Sequence, residues 1–245
     1  MKVGEDPALK QVARSDAFAA VRKEVARRFP QAFRGGGSRI QTGLAGLDAV
    51  LGGGLLPGSF GEWVAAAPSS GGTSMIGTLI DTARRWGRLI ALVDGADAFD
   101  PRMAWEPNRR AEGFLWVRSG DAPKTIRAAD LLLRDPHFGV VVMDLRGLPE
   151  RVVRRSVRPA QWYRLQRLAG ARGVILILLA ARPLAQGVHY RLYLRQSHRM
   201  EDFETPREHL LERIAFRVAG ESVGVEELTE TASMEEGRFL AREMV

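Results

Sequence analysis

Residues 42–58 have the sequence TGLAGLDAVLGGGLLPG, and the rest of the chain can be arranged around this stretch. An apolar strand is predicted directly after it at 60–65, and the next loop has the sequence APSSGGTS at 67–74. Two later segments place an aspartate at the end of an apolar run: LVDGADAFDP at 92–101 and VVVMDLRGL at 140–148. A glycine-rich loop between a strand and a helix is a common means of cradling phosphate through backbone N–H groups.

Short apolar runs alternate with helical patterns from residue 40 onward. Strands are predicted at 60–65, 88–93, 114–117, 140–143 and 174–179, and helices at 74–86, 123–134 and 161–169. Strands that are apolar on both faces indicate a mainly parallel, twisted sheet with helices on both sides, which is the α/β class. Residues 190–196 and 213–218 leave little room for a helix between them, so they predict antiparallel strands at one edge.

Three regions are predicted along the chain: an N-terminal helical arm with a Gly-rich linker at 1–38, an α/β core at 39–220 and an acidic C-terminal tail at 221–245. Apolar side chains recur at helical spacing over 7–29, before a proline and a glycine run. This helix either packs on its own core or docks on a neighbouring protomer or a partner. The tail has seven glutamates against two arginines, which predicts a solvated helix or a loose segment. Such a segment could bind a basic partner or screen arginines from DNA.

The composition is that of an ordinary globular chain: of 245 residues, 45% are hydrophobic and 27% are charged. The absence of cysteine excludes disulfides and thiolate metal sites. The longest apolar run, at 174–181, is too short to span a bilayer, and the charged N-terminal stretch is unlike a secretory signal. We therefore expect no membrane partner and a cytoplasmic location, with nucleoid association as an alternative.

Arginine dominates the positive charge of the chain. The net charge is +7, and only four of the 36 cationic residues are lysines. Because the guanidinium fork suits phosphate and carboxylate, this charge predicts nucleic acid or an acidic protein as a partner. Genomic base composition is the other explanation of the Arg/Lys ratio, but it does not explain where the arginines cluster.

In their order and spacing, the segments quoted above resemble the RecA recombinase family. That family has a TG…LD…LG.GGLP.G lead-in, a phosphate loop ending SSGKT, a VDAE-type catalytic segment followed by DP, and a strand ending in the Walker B aspartate. The stretches at 42–58, 67–74, 92–101 and 140–148 match these parts in turn. The resemblance covers about residues 40–220 and implies a RecA-like core.

Two departures from the family pattern concern nucleotide chemistry. Gly72 stands at the position of the phosphate-binding lysine, and Ala96 stands at that of the glutamate that activates water. Losing a charge-assisted contact to phosphate costs about 1.5–3 kcal/mol, and losing a general base costs about 10²–10⁴ in rate. The resemblance therefore implies a core that is not an enzyme and takes no nucleotide cofactor. Its vestigial phosphate site consists of Gly71, Gly72, Thr73 and Asp144.

The remaining acids at this site have other expected roles. Asp97 lies next to Ala96 and is the one candidate to replace the missing glutamate. Asp144 takes the Walker B position, but without the lysine we expect it to cap the strand end or hydrogen-bond Thr73 rather than hold Mg²⁺. The histidines at 137, 189, 198 and 209 lack metal-ligand spacing, so no metal site is predicted.

A basic segment, RGLPERVVRRSVRPAQWYRLQRLAGARG, spans 146–173 and contains one acid, Glu150. The RecA resemblance places a DNA-facing loop after the Walker B strand. Trp162 and Tyr163 could stack on bases there, although a core position is favoured for Trp162 and Leu165. The loop at 182–189 is shorter than the second DNA loop of recombinases, which argues against strand exchange and leaves binding. The DNA-binding candidates are Arg151, Arg154, Arg155, Arg158 and Arg182.

With its broken nucleotide motifs and N-terminal arm, the chain resembles the ImuA branch of the SulA/RecA-like group. That resemblance implies a non-catalytic adaptor in the DNA-damage (SOS) response that supports error-prone translesion synthesis. The implied partners are an ImuB-like Y-family polymerase relative, an error-prone replicative-type DNA polymerase and RecA, with single-stranded DNA and self-association as further expectations. Three alternatives stay open: a weak ATP-dependent recombinase paralogue, a SulA-like cell-division inhibitor, and a stand-alone DNA-binding recombination mediator.

Overall fold

The aspartate within residues 42–58 shows why this sequence starts the fold. The Asp48 carboxylate accepts hydrogen bonds from the backbone N–H of Thr42 at 2.8 Å and of Gly43 at 3.1 Å, and from the Thr42 hydroxyl at 2.8 Å. One side chain thereby satisfies backbone donors that precede a short helix, Ala45–Val50. The Thr-Gly and Leu-Asp parts of the motif are joined by direct contact.

The glycine run in the same stretch is required by a close approach of two backbone segments. Gly54 has a φ of +120°, and a Cβ there would lie 2.4 Å from the carbonyl oxygen of Ile40. Only glycine fits such a position without strain. Its fit allows an antiparallel bridge in which the backbone groups of Ile40 and Leu55 exchange two hydrogen bonds of 2.8 Å. This bridge closes the stretch just before the first strand.

The computed structural model describes residues 39–67, 70–100, 113–195 and 216–219. Within these ranges, seven strands form one sheet in the order β3-β2-β4-β5-β1-β6-β7. The strands are β1 Phe60–Ala65, β2 Leu89–Asp94, β3 Phe114–Arg118, β4 Phe138–Asp144, β5 Ile175–Ala180, β6 Tyr190–Leu194 and β7 Phe216–Ala219. The helices are α1 Ala45–Val50, α2 Gly72–Trp86, α3 Ala122–Leu132, α4 Glu150–Ser156 and α5 Pro159–Arg172. The predicted arm at 1–38 and tail at 221–245 lie outside the described residues.

Helices cover both faces of the sheet, as the continuously apolar strands predict. All residues of β4 and β5 are buried. Side chains of α1 and α2 pack on one face in an apolar cluster that includes Trp63 and Ile177. Side chains of α3, α4 and α5 pack on the other face, where Phe60 stacks on Trp162 with ring centroids 6.4 Å apart. The prediction of an α/β core with helices on both faces is confirmed.

The last two strands extend the sheet beyond β1. β6 pairs parallel with β1, and β7 pairs antiparallel with β6. The two edge strands are therefore antiparallel to each other, as predicted, while β6 itself continues the parallel sheet. Parallel pairing usually needs a helical crossover. Here the loop at 181–189 makes the crossover from β5 to β6 without a helix.

The predicted elements inside the described ranges are present, with ends that differ by up to three residues. β1 coincides with its prediction, and the helix predicted at 74–86 begins two residues earlier, at Gly72. Two short helices were not predicted, α1 and α4. α4 escaped because its sequence, ERVVRRS, has too few apolar residues to show a helical period.

Candidate functional site

The carboxyl ends of the parallel strands meet beside the N-terminus of α2. β2 and β4 end in the paired residues Asp94 and Asp144, while β1 leads into the loop before Gly72. The chain enters α2 through Gly71, whose φ of +85° is left-handed. Open α/β sheets bind ligands at this edge. The predicted vestigial phosphate site, which also contains Thr73, is located here.

The guanidinium of Arg146 lies between Asp144 and Thr73. Its Nη2 donates to the Asp144 carboxylate at 2.6 Å and to the Thr73 hydroxyl oxygen at 3.3 Å. Its Nε lies 3.0 and 3.2 Å from the two carboxylate oxygens, and the backbone N–H of Arg146 donates to one of them at 3.0 Å. The side chains of Asp144 and Arg146 are 4% and 24% exposed. This is a largely buried ion pair with charge-assisted hydrogen bonds.

The Arg146 guanidinium lies close to Gly72, the first residue of α2. A Cβ at residue 72 would lie 2.4 Å from Nη1 of Arg146 and 3.2 Å from the Cβ of Ala65. Any side chain here would therefore displace Arg146, so the residue that removes the phosphate-binding amine also leaves the space that Arg146 enters. Asp144 was expected to cap the strand end or to hydrogen-bond Thr73. Its carboxylate accepts the backbone N–H of Arg146 just after the strand, while the Arg146 side chain, and not Asp144, contacts Thr73.

A magnesium-bound nucleotide does not fit the residues at this site. Such a ligand needs a cation that reaches its terminal phosphates and a carboxylate that faces its metal. Residue 72 carries no amine, and the Asp144 carboxylate is already engaged by Arg146. The polar groups of the site satisfy one another instead.

The Asp94 carboxylate organises the turn that follows β2. It is fully buried and accepts hydrogen bonds from the backbone N–H of Ala96 and Ala98, each at 3.2 Å, and of Phe99 at 2.8 Å. The indole N–H of Trp116 donates to it at 3.4 Å. A carboxylate that accepts several backbone N–H groups fixes the path of the chain around it. Asp94 therefore fixes the backbone position of Ala96, which replaces the glutamate of the family pattern.

Ala96, at the position of the glutamate in the family pattern, faces the loop after β4. Asp97 instead faces Arg118 of β3. A Cβ at Gly147 would lie 2.5 Å from the Cβ of Ala96, so the two segments are closely packed. Asp97, with a φ of +57°, binds the Arg118 guanidinium instead. The hydrogen bond from Arg118 lowers the pKa of Asp97. Arg118 is on β3, whereas Asp144 is on β4 at the opposite side of β2.

Two of the predicted DNA-binding residues, Arg154 and Arg182, meet at one carboxylate. Glu150, at the start of α4, binds Arg154 at 2.7 Å and Arg182 at 3.6 Å. Arg154 also donates to the carbonyl oxygen of Pro183 at 2.7 Å, which ties α4 to the loop after β5. Arg151, Arg155 and Arg158 are exposed, and none of them has an ion-pair partner in the described part of the chain. We call the five predicted DNA-binding residues the arginine surface: Arg151, Arg154, Arg155, Arg158 and Arg182.

A groove of about 90 Å³ borders the arginine surface. We call it the α4–α5 groove; it is lined by Val153, Arg154, Val157, Pro159, Trp162, Leu184 and Gln186. Trp162 is 3% exposed and Leu165 is buried, so the prediction of core positions for both is confirmed. Tyr163, 47% exposed, is the aromatic side chain left for contact with a ligand on α5.

A buried carboxylate holds the loop at 181–189 in place. Glu62, in the middle of β1, is fully buried and accepts hydrogen bonds from the backbone N–H of Leu184 at 2.6 Å and of Ala185 at 3.1 Å. Arg191 of β6 donates to Glu62 from Nε at 2.6 Å and to the Ala185 carbonyl oxygen at 2.9 Å. The loop that forms one wall of the α4–α5 groove is therefore anchored to the sheet.

Three side chains of this region were not assigned roles from the sequence: Arg146, Glu62 and Glu150. Glu62 carried a usable signal, because it is the single charge in an otherwise apolar strand, FGEWVA. Arg146 stands two residues after the strand-end aspartate, a spacing that permits a return contact to that carboxylate. Its place in an arginine-rich segment hid this signal.

Comparison with known proteins gives a partial match to RecA. Over 106 residues, 43% of this chain, the sequence is 32% identical to protein RecA of Pseudomonas fluorescens (strain SBW25) and of Pseudomonas syringae pv. syringae (strain B728a). Over 105 residues it is 30% identical to protein RecA of Colwellia psychrerythraea (strain 34H / ATCC BAA-681). The match spans 30% of each of these relatives, which is less than a third of their length. No protein-family model matches the chain.

The core of this chain is RecA-like. The sequence match and the parallel sheet with helices on both faces agree, and together they confirm the RecA-like relationship expected from the quoted motifs. Among the described residues of the RecA-like core, no helix is long and apolar enough to cross a membrane. Its departures from the RecA pattern, Gly72 and Ala96, both lie at the edge where Arg146 binds Asp144.

Proposed function

We propose that this protein is a non-catalytic RecA-like adaptor in the DNA-damage response. In that role it supports error-prone translesion synthesis by binding other macromolecules and does not turn over a nucleotide. The observation that carries the proposal is the Arg146 guanidinium, which binds Asp144 and Thr73 beside Gly72. The RecA-like core supports the link to DNA damage, and the resemblance to the ImuA branch supports the narrower role.

Energetic estimates favour binding without catalysis. The absent lysine removes about 1.5–3 kcal/mol of phosphate affinity, which is roughly 10- to 150-fold. A nucleotide would also have to displace Arg146 from a largely buried carboxylate, and breaking such a pair costs about 3 kcal/mol or more. Loss of the water-activating glutamate lowers the rate by a further factor of about 10²–10⁴. Combined, these effects place turnover below practical detection.

The proposed partners follow from the resemblance and from the surfaces available. They are an ImuB-like Y-family polymerase relative, an error-prone replicative-type DNA polymerase and RecA. The arginine surface and the adjoining α4–α5 groove offer cationic and apolar contacts side by side, which suits protein recognition. Single-stranded DNA on the arginine surface is the alternative, and its affinity would fall steeply with salt.

A weak ATP-dependent recombinase paralogue is the second candidate function. Two retained residues favour it, since Thr73 and Asp144 occupy the positions that hold Mg²⁺ in active relatives. It requires Arg146 to leave Asp144 when nucleotide arrives. It predicts measurable ATP binding that is lost in Thr73→Ala or Asp144→Ala.

The test is a titration of the full chain with an ImuB-like partner, with RecA and with a single-stranded oligonucleotide, each with and without Mg·ATP. We expect submicromolar capture of at least one protein partner, with an affinity that Mg·ATP changes less than twofold.

Arg151→Gln combined with Arg155→Gln tests whether the arginine surface takes part in this binding. Arg167→Gln combined with Arg172→Gln, which changes the net charge equally on exposed α5 positions, is the control. Strictly ATP-dependent capture, or capture of none of the three, would overturn the adaptor proposal.

A further inference from the structure

The α4–α5 groove has a chemistry that selects a particular kind of occupant. Its lining includes the aliphatic side chains of Val153, Val157 and Leu184, and the guanidinium of Arg154 lies at its edge. Trp162 is too buried to stack on a base, so the groove does not offer the aromatic platform that single-stranded nucleic acid uses. A ligand with an apolar side chain flanked by acidic residues would pack on the aliphatic lining and pair with the guanidinium of Arg154.

The charge around the groove is unbalanced on one side. Glu150 is engaged by Arg154 and Arg182. Arg151 lies three residues before Arg154 on α4 and so shares its face, while Arg158 directly precedes a residue that lines the groove. Neither has a carboxylate partner in the part of the chain that the structure describes. The groove therefore has unmatched positive charge beside an apolar lining.

The chain leaves the sheet next to this groove. Ala219, the last residue of β7, is paired with Arg191, the second residue of β6. Arg191 donates to the carbonyl oxygen of Ala185, which follows the groove residue Leu184. Residues beyond 219 thus start from the sheet edge that is tied to the groove wall.

Residues 221–245 have the matching chemistry. Seven glutamates are spread along this segment, and the stretch VEELTE at 225–230 places Leu228 between Glu227 and Glu230. Leu228 lies nine positions after Ala219 in the chain. At about 3.3 Å per extended residue, these nine positions span at most about 30 Å.

We infer that residues 221–245 dock in the α4–α5 groove of the same chain, with Leu228 against the apolar lining and the flanking glutamates on the arginine surface. The inference concerns an intramolecular contact and does not depend on which macromolecule the adaptor binds.

The test uses disulfide trapping in the full chain, which has no native cysteine. Gln186→Cys in the groove is combined with Thr229→Cys beside Leu228, and oxidation is followed as the appearance of an intramolecular disulfide-linked peptide pair. Ala171→Cys with Thr229→Cys is the matched control, because Ala171 is exposed on α5 about 18 Å along the helix from Pro159. Thermal unfolding of each variant checks that the core is intact.

We expect the groove pair to form its disulfide at least tenfold faster than the control pair. Glu226→Gln, Glu227→Gln and Glu230→Gln together should slow the groove pair at least fivefold, as should 1 M salt, which screens exposed charges. Equal rates for the two pairs, no effect of the glutamate substitutions, or disulfides only between two copies would each overturn the inference. No partner protein is needed, so failure here leaves the adaptor proposal standing.

Discussion

Gly72 and Arg146 are distant in sequence and act together in the structure. The glycine leaves a space beside the start of α2, and the arginine enters it to bind Asp144 and Thr73. Each substitution is understandable in terms of the other, because a lysine at 72 and an arginine in its present position would compete for one volume. The space beside residue 72 is therefore occupied by a largely buried ion pair between Arg146 and Asp144.

Arg146→Ala should lower the free energy of unfolding by about 2–3 kcal/mol, because it leaves the Asp144 carboxylate buried without its partner. Urea denaturation at pH 7 measures this loss. Arg151→Ala is the control, since the side chain is exposed and its removal should cost less than about 0.5 kcal/mol. Equally small losses for both variants would contradict the role given to Arg146.

Gly72→Lys should be destabilising in the native background by about 1–3 kcal/mol, because the new side chain collides with the Arg146 guanidinium. In an Arg146→Ala background the same change should cost at least 1 kcal/mol less by this argument, since the space is vacant. A double-mutant cycle in urea gives the coupling directly. Additive losses would show that the two residues do not share one volume.

At this scale the sequence supports only part of the account. The missing lysine and glutamate were visible, because Gly72 and Ala96 interrupt known motifs. The partner of Asp144 was not, because a return contact over two residues depends on the path of the loop after β4. Asp97 likewise could be named as a substitute acid, and its engagement with Arg118 on a neighbouring strand emerges only from the register of the sheet.

Among the elements, α3 and α5 are joined by one carboxylate. Asp130 of α3 accepts hydrogen bonds from Arg164 of α5 at 2.7 Å and from Arg134 at 3.0 Å. Partial burial alone would raise the pKa of Asp130, but the hydrogen bonds from the two arginines outweigh it and hold this pKa below its usual value. A depressed carboxyl pKa stabilises the folded state at pH values above the unfolded pKa of about 3.9, and the benefit is lost as pH falls through the folded pKa.

Asp130→Asn should therefore lower the free energy of unfolding by about 1 kcal/mol at pH 7, and the difference from the native chain should shrink as the pH falls below about 3.9. Urea denaturation at several pH values between 7 and 3 measures it. Arg164→Gln should reproduce part of the same pH dependence, because it removes one of the two donors. A difference that stays constant across this range would contradict the assignment.

A buried carboxylate also holds the loop at 181–189, where the backbone N–H groups of Leu184 and Ala185 donate to Glu62. Glu62→Gln should cost about 3 kcal/mol, since it removes the charge that faces Arg191 in a buried setting. Hydrogen exchange of the Leu184 and Ala185 amides should accelerate more than that of residues in β4, because both amides donate to this carboxylate. The control is Glu150→Gln, a partly exposed position, which should cost less than about 1 kcal/mol and leave those amides protected. Unchanged exchange in Glu62→Gln would refute the anchor.

Element positions were the most predictable level of the structure. The apolar runs located β1, β4 and β5 because strands buried on both faces leave a continuous hydrophobic pattern. α4 was missed because it is short and mostly arginine and valine. The parallel pairing of β6 with β1 could not be foreseen, because a helix-free crossover has no sequence pattern of its own.

For the molecule as a whole, the order of motifs along the chain predicted the RecA-like core. The parallel sheet and the sequence match to RecA agree with it. The function of such a core depends on its sites, since one fold can carry many activities. Here Arg146 binds Asp144 at the carboxyl edge of the sheet, and an arginine surface lies beside an apolar groove. The proposed adaptor role rests on that contrast.

Titration of Mg·ATP into the purified full chain, with calorimetry for binding and phosphate release for turnover, tests this contrast most directly. The account predicts no saturable binding up to about 1 mM and no phosphate release above background for the native chain. Gly72→Lys combined with Arg146→Ala should bind Mg·ATP more tightly than the native chain. The new lysine supplies a cation for the phosphates, and the Arg146 guanidinium no longer occupies Asp144. Micromolar binding with turnover of about 1 s⁻¹ by the native chain would contradict the central claim.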